Sequence, residues 1–321
     1  MRDQVEEYAS RILPDVVIAP DQVNVHFAPQ GGSVVLNHHV QGELRQAEFT
    51  EYSRQQLLGH VGVKERWFAA VDRNTEAAEL TVRLRLMEGF RFRRLGTGTD
   101  TDELVRGIVS PHYAELADLD IVKLLVELMP DALCVPIMSM LTMRAFYATI
   151  ICGKPVSLPG TTLKGHPCVI IRNSEVGFTS LWAVPALWIP RLGHPLVFKK
   201  PLLRRAHRGT IDLEDELRTA LAAATLWTAS LPEMLEAFRA MQVYPDIDTA
   251  VDAVRSLITS NNGPLYLALA VEHALRANPG NLGGEDILMA VMAGVQKTAD
   301  ADDTYDHAQV AGAVLLALST A

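Results

Sequence analysis

The sequence predicts an α+β chain: a β-rich amino-terminal and central core, arranged as an antiparallel meander with intervening helices, followed by an acidic carboxy-terminal helical bundle. Three observations carry this expectation. Short β-branched or aromatic runs punctuated by Pro and Gly fill residues 1–45 and 132–199. Helical spacing takes over from about residue 211 to the end. The charge divides at the same place: residues 211–321 hold five Lys or Arg against sixteen Asp or Glu, leaving 24 and 22 of the chain's 29 basic and 38 acidic residues to the first 210. The expected domains are therefore 1–210, the β-rich core, and 211–321, the acidic helical domain.

Taken in order, "DVVIA", "QVNVHF" and "SVVLNHHV" read as strands separated by Pro20, Pro29 and Gly31-Gly32. From Thr50, a plausible N-cap, "TEYSRQQLLGHVGV" steps its apolar residues by three and four, and a second helix follows at about 75–88. "FRFRR" (90–94) alternates Phe and Arg, as a strand with one apolar and one basic face does. "DELVRGIVS" is a further strand, and "DLDIVKLLVELM" an amphipathic helix capped by Asp118 or Asp120. The meander comprises "ALCVPIMS", "MRAFYATIIC", "HPCVIIR", "GFTSLWAVPALWI" and "PLVFKK". Beyond Thr210, Ser230-Leu-Pro-Glu233 reads as a capping box opening a helix, and four amphipathic segments follow it.

With 321 residues, 49% hydrophobic and 21% charged, the chain can build a sizeable core and is not a disordered one. The amino terminus "MRDQVEEYASRILPD" lacks the apolar segment of a secretory signal, and the longest apolar run, "ALCVPIMSMLTM", is too short to span a bilayer. Cys134, Cys152 and Cys168 sit in apolar contexts with no Cys-x-x-Cys pair, as buried thiols of a reducing compartment do. A cytoplasmic protein with no membrane contact is expected.

Most reaction chemistries lack their residues here. There is no Gly-x-Ser-x-Gly elbow, Ser-x-x-Lys pair or phosphate-binding loop. His166 and Cys168 share a strand face but lack a further metal ligand beside them, so neither a metal nor a cofactor is expected. What remains is basic and aromatic. The formal net charge is −9, yet residues 144–208 carry ten Lys or Arg and a single acid, Glu175. Arg91, Arg93, Arg94, Arg106, Lys199, Lys200, Arg204, Arg205 and Arg208 are the candidate phosphate contacts, with Trp182 and Trp188 as candidate stacking platforms.

Four boxes, in this order, resemble a phage- and plasmid-borne family of unknown function: "FTEYSRQQLLGHVGV" (49–63), "VRGIVSPHYAELADLDIV" (105–122), "IIRNSEVG" and "RRAHRG" (204–209). The third, an Asn-Ser-Glu-Val-Gly box, is the most specific. The family pattern places Asn173, Glu175, Gly177 and His207 among its marked positions. Where the family shows Arg followed by Cys-Asn-Gly, this chain has Arg191 and then "LGHPLVF". The resemblance implies DNA metabolism, by analogy with single-strand annealing proteins of the RecT/Redβ type.

The expected function is thus non-catalytic single-stranded-DNA binding or annealing by an oligomer, its acidic helices turned away from the strand or toward a basic protein partner. The alternatives are an enzyme using Glu175 as general base or metal ligand, and a phage structural or host-interaction protein. Asn173 and Gly177 suit a turn, and Glu175, alone among so many cations, is expected to form a structural ion pair with Arg172 or Arg191.

Overall fold

The computed structural model describes residues 2–18, 24–27, 34–40, 43–64, 66, 70–86, 89–97, 103–130, 133–134, 139–159, 161–197, 201–236, 244–277, 282–298 and 304–320. After a short helix α1 (Arg2–Ser10), a six-stranded sheet is built from β1 (Ile12–Ile18), β2 (Asn24–Phe27), β3 (Val34–Val40), β4 (Glu43–Phe49), β5 (Phe90–Gly96) and β6 (Glu103–Val109). Its order is β1-β5-β6-β4-β3-β2. Every pairing is antiparallel except β4 with β6, which are joined through the helices α2 (Glu51–His60) and α3 (Arg73–Arg85). Thr50 caps α2 as its sequence position suggests, its hydroxyl accepting the Ser53 N–H at 3.2 Å. Leu57, Leu80 and Leu84 from the two helices meet Phe49, Phe92, Val105 and Ile108 from the sheet in one apolar core.

Helix α4 (Asp118–Leu128) leads into the second sheet, of eight strands. These are β7 (Leu133–Cys134), β8 (Met140–Leu141), β9 (Phe146–Ile151), β10 (Val156–Ser157), β11 (Lys164–Asn173), β12 (Leu181–Ile189), β13 (His194–Leu196) and β14 (Leu203–Arg205). The long hairpin β11–β12 is its spine, with Arg172 opposite Trp182 and His166 opposite Trp188. All pairings in it are antiparallel, as the meander requires.

The chain closes with α5 (Leu213–Glu236), α6 (Ile247–Ser260), α7 (Leu265–Ala277), α8 (Gly284–Thr298) and α9 (Thr304–Thr320). The mixed α+β class is therefore the one expected, with helices at the carboxy terminus. The apolar core, however, does not divide at residue 210. Leu187, Ile189 and Leu196 of the second sheet share one cluster with Trp227, Val254, Leu267, Val291 and Val314 of the helices. On the same face, toward the other end of the β11–β12 hairpin, Phe146, Ile171 and Leu181 pack with Leu125 of α4 and Leu217 of α5. The helices cover the second sheet and share its core. Among the described residues, no helix is long and apolar enough to cross a membrane.

Two local expectations fail for identifiable reasons, and one strand carried no signal to read. Ser230-Leu-Pro-Glu233 opens no helix: α5 runs through it with Pro232 inside, and the Ser230 hydroxyl donates to the Trp227 carbonyl at 2.8 Å. Trp227, Leu231 and Leu235, spaced by four and all buried, hold that helix to the core more strongly than one proline disfavours it. Helix α1, charged and mostly exposed, gave no apolar periodicity to read; it is held through Val5, which is buried against α4 residues. Strand β4, "ELRQAEF", is polar enough to have passed as connection.

The two sheets meet closely at Gly107 on β6. A Cβ built there stands 2.5 Å from the Cβ of Val176, in the turn between β11 and β12. Gly107→Ala is therefore expected to lower unfolding stability in urea by about 1–3 kcal/mol through overpacking. An unchanged midpoint would show that the two sheets do not approach there.

Candidate functional site

The Asn-Ser-Glu-Val-Gly box is the connection leaving β11, and it is folded by its own side chains. The Ser174 hydroxyl accepts the backbone N–H groups of Val176 (3.2 Å) and Phe178 (3.0 Å) and donates to the Arg144 carbonyl at 2.7 Å. Gly177 takes a left-handed φ of 77°, which a residue without a Cβ adopts freely. The turn is then pinned to the first sheet. Gln56 of α2 donates to the Val176 carbonyl at 2.8 Å, while its own carbonyl accepts the Ile108 N–H at 2.9 Å.

Glu175 lies beneath this turn, 3% exposed. One carboxylate oxygen pairs with the buried Arg106 of β6. The other accepts the Asp118 backbone N–H at 2.9 Å and so caps α4, whose N-cap residue Ala117 offers no side chain. The ion pair is thus made with Arg106, not with Arg172 or Arg191. Arg172 instead pairs with Asp306 at 3.2 Å, and Arg191 with Glu285 at 3.1 Å. Asp118 is not the cap either. It is buried in the first turn, accepting the Asn173 side-chain amide at 2.7 Å. Burial, reinforced by the Glu175 charge, pushes the Asp118 carboxyl up to about 8. Arg106 also donates to the Tyr8 hydroxyl at 3.2 Å, so the network ties α1, β6, α4 and the box together.

Above the network a cleft of about 530 Å³ opens between three segments: 110–113, 177–180 and 206–209. Its floor is the stacked pair Tyr113 and His207, with ring centroids 4.7 Å apart and planes within 9°. The His207 Nδ1 lies 3.1 Å from the Ala114 carbonyl, which fixes the proton there and leaves Nε2 as the acceptor nitrogen. Burial, as the largest cause, holds its imidazole below the ordinary histidine range. All four boxes of the sequence reading converge here, through Gln56, Arg106 with Tyr113, Glu175 and His207.

Beside the cleft runs a row of alternating rings and guanidinium groups across four strands. Tyr147 of β9 is opposite Arg172 of β11, Arg172 opposite Trp182 of β12, and Trp182 opposite Arg204 of β14. The Arg172 guanidinium lies 5.4 Å from the Tyr147 ring and 5.9 Å from the Trp182 ring, and the Arg204 guanidinium lies 5.0 Å from the Trp182 ring. Phe178 joins row to cleft, with Arg144 at 5.0 Å and Arg172 at 5.4 Å from its ring.

The structure thus sorts the expected phosphate contacts. Arg93, Arg94 and Arg106 are buried: Arg93 pairs with Glu115 at 2.5 Å, Arg94 with Glu103 at 2.5 Å, and Arg106 with Glu175. They are structural counter-ions, because a buried guanidinium persists only where a carboxylate or carbonyl holds it. Arg91 donates to the carbonyls of Tyr113 (3.3 Å) and Pro111 (3.0 Å), supporting the 110–113 segment from behind. Arg205 lies 3.5 Å from Glu216. Trp188 is 7% exposed and belongs to the core. Lys199 and Lys200 lie outside the described residues. Arg204 and Arg208 are exposed and, among the described residues, have no carboxylate in ion-pair reach.

Sequence reasoning missed Tyr8, Gln56, Tyr113, Asp118, Arg144 and Phe178 as members of this junction. Gln56, Tyr113, and Asp118 stand inside the quoted boxes, so a search for what the boxes share would have found them. A larger cleft of about 640 Å³, lined by Met129, Cys152, Arg218 and Thr225, lies elsewhere. Burial raises the Cys152 thiol pKa and Arg218 is tied to Glu214, so it offers little chemistry. No protein-family model, curated protein or solved structure matches the chain.

Between the unfolded value of 3.8 and about 8, the folded chain holds the Asp118 proton more tightly than the unfolded chain, so this group makes stability fall as pH rises. Melting temperatures between about pH 5 and about pH 9 should therefore decline less steeply in Asp118→Asn than in the parent chain. Identical slopes would show that Asp118 is ionised in the fold.

Proposed function

We propose that the chain is a non-catalytic single-stranded-DNA-binding protein of the strand-annealing kind, engaging a short segment at the end of the second sheet. The observation that carries this reading is the row Tyr147, Arg172, Trp182, Arg204, whose outer end is an exposed arginine without a carboxylate partner among the described residues. Arg204 covers one face of Trp182 in the free chain. A strand phosphate draws the guanidinium away by charge, and the uncovered indole then stacks on a base. Stacking of this kind is sequence-tolerant and contributes about 1–3 kcal/mol per base. Arg208 supplies a second phosphate contact.

This is a site for a few nucleotides, not a long basic groove. Three of the ten cations counted in residues 144–208 are occupied, Arg172, Arg191 and Arg205 being paired with Asp306, Glu285 and Glu216. The acidic helices act as internal counter-ions in this reading. Assembly into an oligomer belongs to the same proposal, since repeated weak sites on one strand raise the overall affinity. The mobile-element setting rests on the sequence resemblance. Glu175 suits a structural role better than that of a general base, since both its oxygens are engaged within the fold.

Fluorescence anisotropy with a labelled single-stranded oligonucleotide at low salt tests the reading. Trp182→Ala should weaken binding by about 5-fold to 150-fold, the equivalent of one stacked base, and Arg204→Ala should weaken it as well. With about two phosphates neutralised, log K should fall with log salt at a slope of about −1.4. Absence of binding at micromolar protein, or binding indifferent to both substitutions, would overturn it.

A further inference from the structure

The cleft beside the row is built from three chain segments that are fastened to one another. The Tyr113 hydroxyl donates to the Ser174 carbonyl at 2.7 Å, and Ala114 and His207 exchange two bonds, the Ala114 N–H to the His207 carbonyl at 3.0 Å and the His207 ring to the Ala114 carbonyl. Tyr113 and Arg208 form a strand-like bridge, and Arg91 grips the 110–113 segment through two carbonyls. None of these bonds involves a group that a ligand would need. The walls are held from behind and the opening is left clear, which is the arrangement of a preformed binding site.

Its lining is specific in kind. Among the lining residues there is no carboxylate, so an anion entering it meets no repulsion from the walls. Arg208 and His112 are exposed at its mouth, Arg208 supplying positive charge and both supplying N–H donors. Thr179 and Ser180 add hydroxyls, and the aromatic surface comes from Tyr113, His207 and Phe178. The His207 Nε2 is buried and, among the described residues, has no hydrogen-bond partner, so an acceptor nitrogen stands unused in the floor. The volume of about 530 Å³ falls within the roughly 300–1,000 Å³ of ligand pockets, too large for an inorganic anion alone and ample for a planar ring carrying one.

We propose that this cleft is a mononucleotide site: it takes one nucleoside monophosphate unit, with the phosphate between Arg208 and His112 and the base in the aromatic interior. The choice of a nucleotide among planar anions rests on the single-strand reading, because Phe178 is shared between cleft and row and a strand leaving Trp182 passes over it. The cleft then binds the next unit of the same strand, and it binds a free nucleotide without the row.

Isothermal titration of the full chain with dAMP, dTMP and, separately, inorganic phosphate tests this. Both nucleotides should bind at least about tenfold more tightly than phosphate, and a saturating nucleotide should lower the apparent affinity for a labelled oligonucleotide. Arg208→Ala and His112→Ala, both surface changes that leave the buried network intact, should each weaken nucleotide binding by about fivefold or more. No heat with either nucleotide, equal affinity for nucleotide and phosphate, or binding unaffected by both substitutions would each overturn the proposal. Oligonucleotide binding that persists in that event leaves the single-strand reading standing. Nucleotide binding without oligonucleotide binding removes that reading and keeps the cleft.

Discussion

The organisation of this chain depends on how one buried carboxylate is satisfied. An ionised side chain taken out of water survives only if its oxygens are fully engaged, and Glu175 divides its two between a guanidinium on the first sheet and the first amide of α4. Each partner gains from the arrangement. Arg106 obtains a counter-charge, and α4 obtains the cap that its own N-terminus lacks. Because the three groups come from β6, α4 and the β11–β12 connection, meeting Glu175's requirements fixes how the two sheets sit against each other. Gln56 and the contact of Val176 with Gly107 reinforce the same junction.

The surface chemistry follows from that buried geometry. With the turn held down at Glu175, its far end carries Phe178, Thr179 and Ser180 outward, where they form one wall of the cleft and the link to the row of rings and guanidinium groups. Asp118, whose carboxyl burial and the Glu175 charge push upward, completes the packing beneath through its bond to the Asn173 amide. The acidic helices contribute at a distance, through Asp306, Glu285 and Glu216, by neutralising arginines of the central segment. Among the candidate arginines, Arg204 and Arg208 keep no carboxylate partner among the described residues. A chain of net charge −9 can present an anion site in this way, since the site's own surroundings and not the average decide its potential.

Much of the architecture was legible in the sequence because it is written in local signals. Thr50 before an apolar helical stripe and the period-two runs of the meander each act within a few residues, and the structure places them accordingly. The candidate site was legible only in outline. A count of arginines along "FRFRR" or 191–209 treats each as solvent-facing, whereas burial and pairing depend on carboxylates far away in sequence, as Glu115 is from Arg93 and Glu175 from Arg106. The partner of Glu175 could not be read for the same reason: Arg172 is close along the chain, but Arg106 lies under the turn. The proline in α5 misled because the stripe Trp227, Leu231, Leu235 that overrides it acts through tertiary burial.

The dependence of the whole junction on the Glu175–Arg106 pair is tested most directly by a double-mutant cycle with Glu175→Gln and Arg106→Met, read by equilibrium unfolding. Each single change strands a buried polar or charged group and should lower stability by about 3–5 kcal/mol, while the double variant should fall short of their sum by about 2 kcal/mol or more. Losses that add to within about 0.5 kcal/mol would contradict the account, because they would mean that the two side chains act independently and that the sheets are joined by something else.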